Sequence, residues 1–249
     1  FIINSYEESR DYMDLISFMK ALETFQPPVF DDKHSVELNE KRYFPLYVIL
    51  YANKGIVGDV IRNFTKEPYS HSSISFDTSM NNIYTFGQRI VLNDGTSDPN
   101  SYTKKMGASI ESFTKCIGKF SYPSFAKVAI YVTYFSEENM NLVKQYINAI
   151  FSNPDNYKYN ATGLVKYALG QSSESETKMF CSQFVANILK IGGINLTKQS
   201  SLYSPYSLIK SENIIDVWTG FIGNYDKKIA DKRMNYIKKN VTQRGLINE

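Results

Sequence analysis

The chain has 249 residues, 43% of them hydrophobic, enough for one sizeable core. A formal charge of +3 is too small to argue for a nucleic-acid partner, and 19 Tyr with 16 Phe exclude a disordered chain. Two cysteines, Cys116 and Cys181, make no disulfide framework and are expected as unbridged thiols. No apolar run approaches the length of a membrane span. No signal peptide is visible either, which favours a cytoplasmic or virion-associated setting. The first residue is Phe1, so a processed or truncated start stays open.

In chain order, Tyr12, Leu15, Ile16 and Met19 predict an amphipathic helix over 6–19, stopped by Pro27-Pro28. A charged linker from Asp31 to Arg42 follows, with His34 expected as a solvated loop residue. We read 1–42 as an appended helical arm that packs on the main domain or on an assembly partner. Leu46–Tyr51 is a continuous apolar run, as a buried strand has. Asn53-Lys54-Gly55 is a turn, and Val57–Phe64 a short helix. In 71–77, Ser72, Ile74 and Phe76 alternate with His71, Ser73, Ser75 and Asp77, which is strand periodicity. The next strand, Ile83–Gly87, puts Ile83, Thr85 and Gly87 on one face and Tyr84 and Phe86 on the other. Residues 92–122 are rich in Asn, Asp, Gly, Ser and Thr and predict a long loop, expected near the site as a lid.

Ala126–Tyr134 has strand composition, and Ser136 with Glu137 and Glu138 opens a helix that ends at Asn153-Pro154. A short helix over 161–169 ends at Gly170. A helix over 178–189 carries Cys181 in its first turn and an apolar face of Phe184, Val185, Ile188 and Leu189, with Gly192 and Gly193 beyond it. A turn at 202–206 and a strand around Val217-Trp218-Thr219 follow. The basic run over 226–249 reads as a solvated helix face, and 230–249 as a basic tail outside the main domain of 43–229.

Chemistry concentrates on Cys181 and His71. A thiol in the first turn of a helix feels the positive end of the dipole and unpaired amides, both of which favour thiolate. The same amides can receive an oxyanion. A buried cysteine that merely fills a core is the competing reading. His71 shares a strand face with small hydroxyls, so an imidazole there can take a thiol proton and return it to a leaving group. No cofactor and no metal are expected.

The segments Tyr69–Ser75, Ile83–Gly87, Phe180–Val185 and Ser204–Leu208 stand in the order His strand, polar strand, Cys helix. This order resembles the circularly permuted branch of the papain-like, NlpC-type cysteine hydrolases, and within it a group from low-GC Gram-positive bacteria and their phages. The resemblance covers about residues 43–229. It implies an α+β, permuted papain-like fold, an antiparallel sheet packed against the helix that carries the nucleophile. It further implies Cys181 as nucleophile, His71 as base and Thr85 as the polar residue that orients the imidazole. A hydroxyl departs from the stronger orienters of the family; Asp77 and Gln88 are the alternatives.

Three functions follow. A cysteine hydrolase would cleave an amide in a peptide or cell-wall peptide through an acyl-enzyme. The same residues could serve a thiol acyltransferase or esterase acting on an acylated or lipid substrate. The domain could also be a catalytically quiet module of a phage particle.

Overall fold

A computed structural model describes residues 25–52, 66–92, 102–113, 126–211 and 213–244. The expected arm helix over 6–19, the turn at 53–55, the helix over 57–64 and Cys116 lie outside the described residues. What is described is an α+β protein with a mostly antiparallel nine-stranded sheet and five α-helices.

The strands are β1 (Val36–Leu38), β2 (Lys41–Ala52), β3 (His71–Ser75), β4 (Ile83–Leu92), β5 (Tyr102–Glu111), β6 (Lys127–Ser136), β7 (Lys158–Tyr159), β8 (Lys178–Met179) and β9 (Ile215–Phe221). They run β8-β7-β5-β4-β3-β2-β6-β9, with β1 paired to β2. Only the β7–β8 pair is parallel among these. The helices are α1 (Glu137–Phe151), α2 (Ala161–Ala168), α3 (Cys181–Ile191), α4 (Pro205–Leu208) and α5 (Lys227–Arg244).

The central strands are buried on both faces, which is why β2 reads as an unbroken apolar run. Leu46, Val48 and Leu50 join Ile74, Tyr84 and Phe86 in one core, covered by α1 through Val143 and Ile147 and by α3 through Phe184, Val185, Ile188 and Leu189. Tyr47, Ile49 and Tyr51 join Ile83, Val128 and Ile130 in a second core on the other face, covered by Ala230, Met234, Ile237 and Val241 of α5. Those four recur at helical spacing, so a sequence dominated by lysine still buries one stripe. A single helix therefore crosses the 229/230 boundary, and the basic segment through Arg244 is part of the folded body.

Two further expectations are corrected. Residues 102–111 are not loop: they form β5, paired with β4 along its whole length from Ile83↔Glu111 to Leu92↔Tyr102. Met106, Ala108 and Ile110 alternate there with Gly107, Ser109 and Glu111, a strand signal hidden in polar composition. His34 is not solvated. It is fully buried, with Nδ1 2.8 Å from Asp31 Oδ2 and Nε2 3.8 Å from Asp231 Oδ1. Tyr47 donates to the same Asp31 oxygen at 2.8 Å. The linker that holds His34 turns through Asn39 and Glu40, both at positive φ, as a tight hairpin requires, and so lays β1 on β2.

Candidate active site

The site forms where two neighbouring strands part. β3 and β4 are paired only at Ile74↔Tyr84 and Ser75↔Ile83. At the level of His71 and Ser72 the ladder has stopped. Both backbone groups of Ser72 are put to other use there: its carbonyl accepts from the Thr85 hydroxyl at 2.9 Å, and its amide donates to the Cys181 sulfur.

Cys181 is the first residue of α3 and is 3% exposed. The helix is set by Phe184, Val185, Ile188 and Leu189, each at 0% exposure, and it ends at Gly192 with Gly193 at φ +93°. It starts three residues later than the sequence suggested. Lys178 and Met179 are extended and pair with β7, so the chain enters the helix directly at the cysteine. A parallel pairing of two residues leaves no periodicity to read.

His71 opens β3, across from Tyr51 of β2 and on the same face. Its side chain is 12% exposed. The imidazole and the Cys181 thiol are hydrogen-bonded to each other. Nε2 lies 3.3 Å from Thr85 Oγ1 and 3.5 Å from Glu111 Oε1. The Thr85 hydroxyl spends its hydrogen on Ser72, so toward the ring it acts as acceptor. Nε2 therefore carries the ring hydrogen, and Nδ1 is the nitrogen that exchanges a proton with sulfur.

Electrostatics favour the charged pair. Burial alone pushes the Cys181 thiol up, but the adjacent imidazolium, its hydrogen bond and the amides of Ser72 and Ser182 outweigh it and leave the thiol below its ordinary value. For His71, burial pulls the pKa down. The Cys181 thiolate and the Glu111 carboxylate, by charge and by hydrogen bonding, push it up to about 10. Tyr159, which ends β7, lies within electrostatic range of the thiol; burial first and the nearby sulfur second hold its phenol protonated far above the usual range. A protonated phenol beside the sulfur is a hydrogen-bond donor.

Of the residues expected at the site, Cys181, His71 and Thr85 come together. Asp77 does not: its carboxylate accepts from the Ser79 amide at 2.6 Å in the turn after β3. Gln88 is exposed and pairs with Met106 on the far reach of β4. Two groups at the site were not read from the sequence. Glu111 ends β5, whose polar composition reads as loop, and its alternation with Gly107 and Ser109 is the signal that places it on the Thr85 face. Tyr159 sits in a two-residue strand and carries no sequence signal.

Among the described residues, no group of three or more His, Cys, Asp or Glu side chains could hold a metal ion. Among them, too, no helix is long and apolar enough to cross a membrane. Comparison with protein-family models and with curated proteins finds no match to this chain.

Proposed function

We propose that this protein is a cysteine hydrolase that cleaves an amide bond, in a peptide or a cell-wall peptide, through an acyl-enzyme. The observation that carries the reading is the Cys181–His71 pair: a helix-N-terminal thiol hydrogen-bonded to a strand-borne imidazole that lowers its pKa. In the permuted papain-like architecture we assign to this fold, Cys181 is the nucleophile, His71 the acid–base group and Thr85 an orienting hydroxyl.

The chemistry balances within the site. The Cys181 thiolate adds to the amide carbonyl carbon and forms a C–S bond. Charge moves to the oxygen, where the Cys181 and Ser182 amides at the helix start and the Tyr159 phenol are the available donors. His71 gives its Nδ1 proton to the nitrogen as the C–N bond breaks, and an amine leaves. Water then adds to the thioester carbonyl, His71 takes the water proton, and a carboxylic acid leaves as the thiolate is restored.

A second reading, transfer or hydrolysis of an acyl group, draws on one observation. Val165 of α2 and Leu169, which caps that helix at its C-terminus, are exposed apolar residues at 64% and 68%, on the helix that follows Tyr159. An acyl chain suits such a surface better than a polar stem peptide does.

The test pairs substrate with variant. Cell-wall stem peptides and N-acylated peptides are incubated with the protein, and release of primary amine is followed. Release that disappears in C181A is the expected result. Acyl esters turned over in place of amides would move the assignment to the second reading. Release undiminished in C181A, or no turnover together with an ordinary thiol titration, would sink the hydrolase.

A further inference from the structure

The thiol–imidazole pair uses only part of the polar cluster around His71. Glu111 stands behind the ring, 3.5 Å from Nε2, carried there by the end of β5 opposite Ile83. Behind Glu111 stands Tyr51 of β2, fully buried, its phenol hydrogen-bonded to the Glu111 carboxylate. The Tyr51 oxygen in turn accepts from Ser73 Oγ at 3.2 Å, and its ring lies 5.3 Å from that of His71. Gly87 lies beside both groups: a Cβ there would make ordinary van der Waals contact, 3.5 Å from His71 Cε1 and 4.0 Å from Glu111 Oε1.

The donors line up in one direction. Ser73 donates to Tyr51, Tyr51 donates to Glu111, and His71 Nε2–H is left to point at Glu111 and Thr85. A hydroxyl acceptor fixes which nitrogen holds the hydrogen but adds little to an imidazolium. A carboxylate does both. The Tyr51 phenol donates to that carboxylate and fixes where it points.

We propose that Glu111 and Tyr51 are positioning residues for the thiol–imidazole pair: Glu111 holds the imidazolium and its Nε2–H tautomer, and Tyr51 holds the Glu111 carboxylate aimed at the ring. The proposal rests on the hydrolase reading of the site. Charged and titratable groups facing the ring are Cys181 from α3, Glu111 from β5 and Tyr51 from β2; Tyr159 from β7 faces the sulfur. Thr85 keeps the tautomer role assigned to it, and Glu111 adds the charge a hydroxyl lacks.

The experiment measures the His71 Cε1–H chemical shift against pH, alongside the iodoacetamide alkylation rate of Cys181. It compares the wild type with E111Q, Y51F and the double variant. Loss of the imidazolium is expected to move down by about one to three pH units in E111Q, the usual effect of removing an opposite charge at this range. Y51F moves it less. The double variant matches E111Q, because Tyr51 acts through Glu111 and the two effects do not add. A purely structural role would lower the unfolding midpoint of each variant without moving the titration. An E111Q titration that overlays the wild type overturns the proposal, and so do additive shifts. Should E111Q not fold, Y51F decides: an unmoved titration in a folded Y51F overturns it. The hydrolase reading fails separately, if wild-type Cys181 itself alkylates as an ordinary thiol. A depressed thiol with an unmoved E111Q titration would leave that reading standing and remove this one.

Discussion

Replacing His71 with alanine removes the cation beside Cys181 and leaves the burial in place. The thiol is 3% exposed, so without the imidazolium burial disfavours the thiolate, and the Ser72 and Ser182 amides offset that in part. An opposite charge in contact is worth about one to three pKa units, or about 1.4–4 kcal/mol. The H71A thiol should therefore titrate at or above the free-cysteine value of about 8.5. Below both midpoints the thiolate fraction falls by about 10- to 1,000-fold. A more basic thiolate is a better nucleophile, with a Brønsted coefficient of about 0.45, so the net loss of rate is about 4- to 45-fold. The assay is the second-order rate of alkylation by iodoacetamide between pH 4 and 10, read by intact mass. T85A should shift the curve less than H71A, because a neutral hydroxyl 3.3 Å from Nε2 orients the ring and adds little charge stabilisation. If the wild-type rate rises only near the free-thiol value and H71A leaves the curve unchanged, Cys181 is a core residue and the quiet module takes over.

Three further outcomes follow from the same structure. Linkage gives the stability of the pair a definite pH shape. As pH falls through the lowered folded value of Cys181, the folded thiolate takes up a proton and its contribution to stability is lost. Above ~8.5 the unfolded chain has released both protons while the folded imidazolium still holds one, and stability falls until His71 titrates at about 10. Denaturant midpoints against pH in wild type and H71A check this, and a wild-type curve parallel to that of H71A would refute it. D231N should cost about 1–3 kcal/mol, since that carboxylate takes Lys33, Lys227 and Thr78 and ties β1's linker and the β3–β4 turn to α5. Burial raises the Asp231 pKa, but its hydrogen bonds to Lys227, Lys33 and Thr78 hold it well below the carboxylate range. The penalty is then present above pH ~3.9 and disappears as pH falls through the folded value; a penalty that persists in acid would contradict the assignment. G192A should destabilise despite the better helix propensity of alanine, worth about 1 kcal/mol, because its Cβ would stand 2.1 Å from the Phe135 ring. Overpacking of that kind costs about 1–3 kcal/mol or more, and an unchanged denaturant midpoint would show that Phe135 can yield.

Local periodicity is enough to define the elements in which it is strong. The run Leu46–Tyr51, the alternation across Ile83–Gly87, the Ser136 cap and the apolar face of the Cys181 helix each express a local rule: a side chain's direction repeats every 2 or 3.6 residues. Those rules also put His71, Thr85 and Cys181 on candidate surfaces. Which of these surfaces meet depends on long-range pairing. That β3 and β4 part at His71, so that a thiol carried on one face of the sheet reaches an imidazole on the other, depends on pairings between residues far apart in sequence. The same holds for Glu111. Its strand is polar because Thr103 to Met106 are exposed on both faces, and composition then reads as loop; its place behind His71 is set by register with β4. His34 shows the converse. A histidine in a charged segment looks solvated until Asp31, Tyr47 and Asp231, from three separate elements, close around it, because burying a polar ring requires partners that the local sequence does not display.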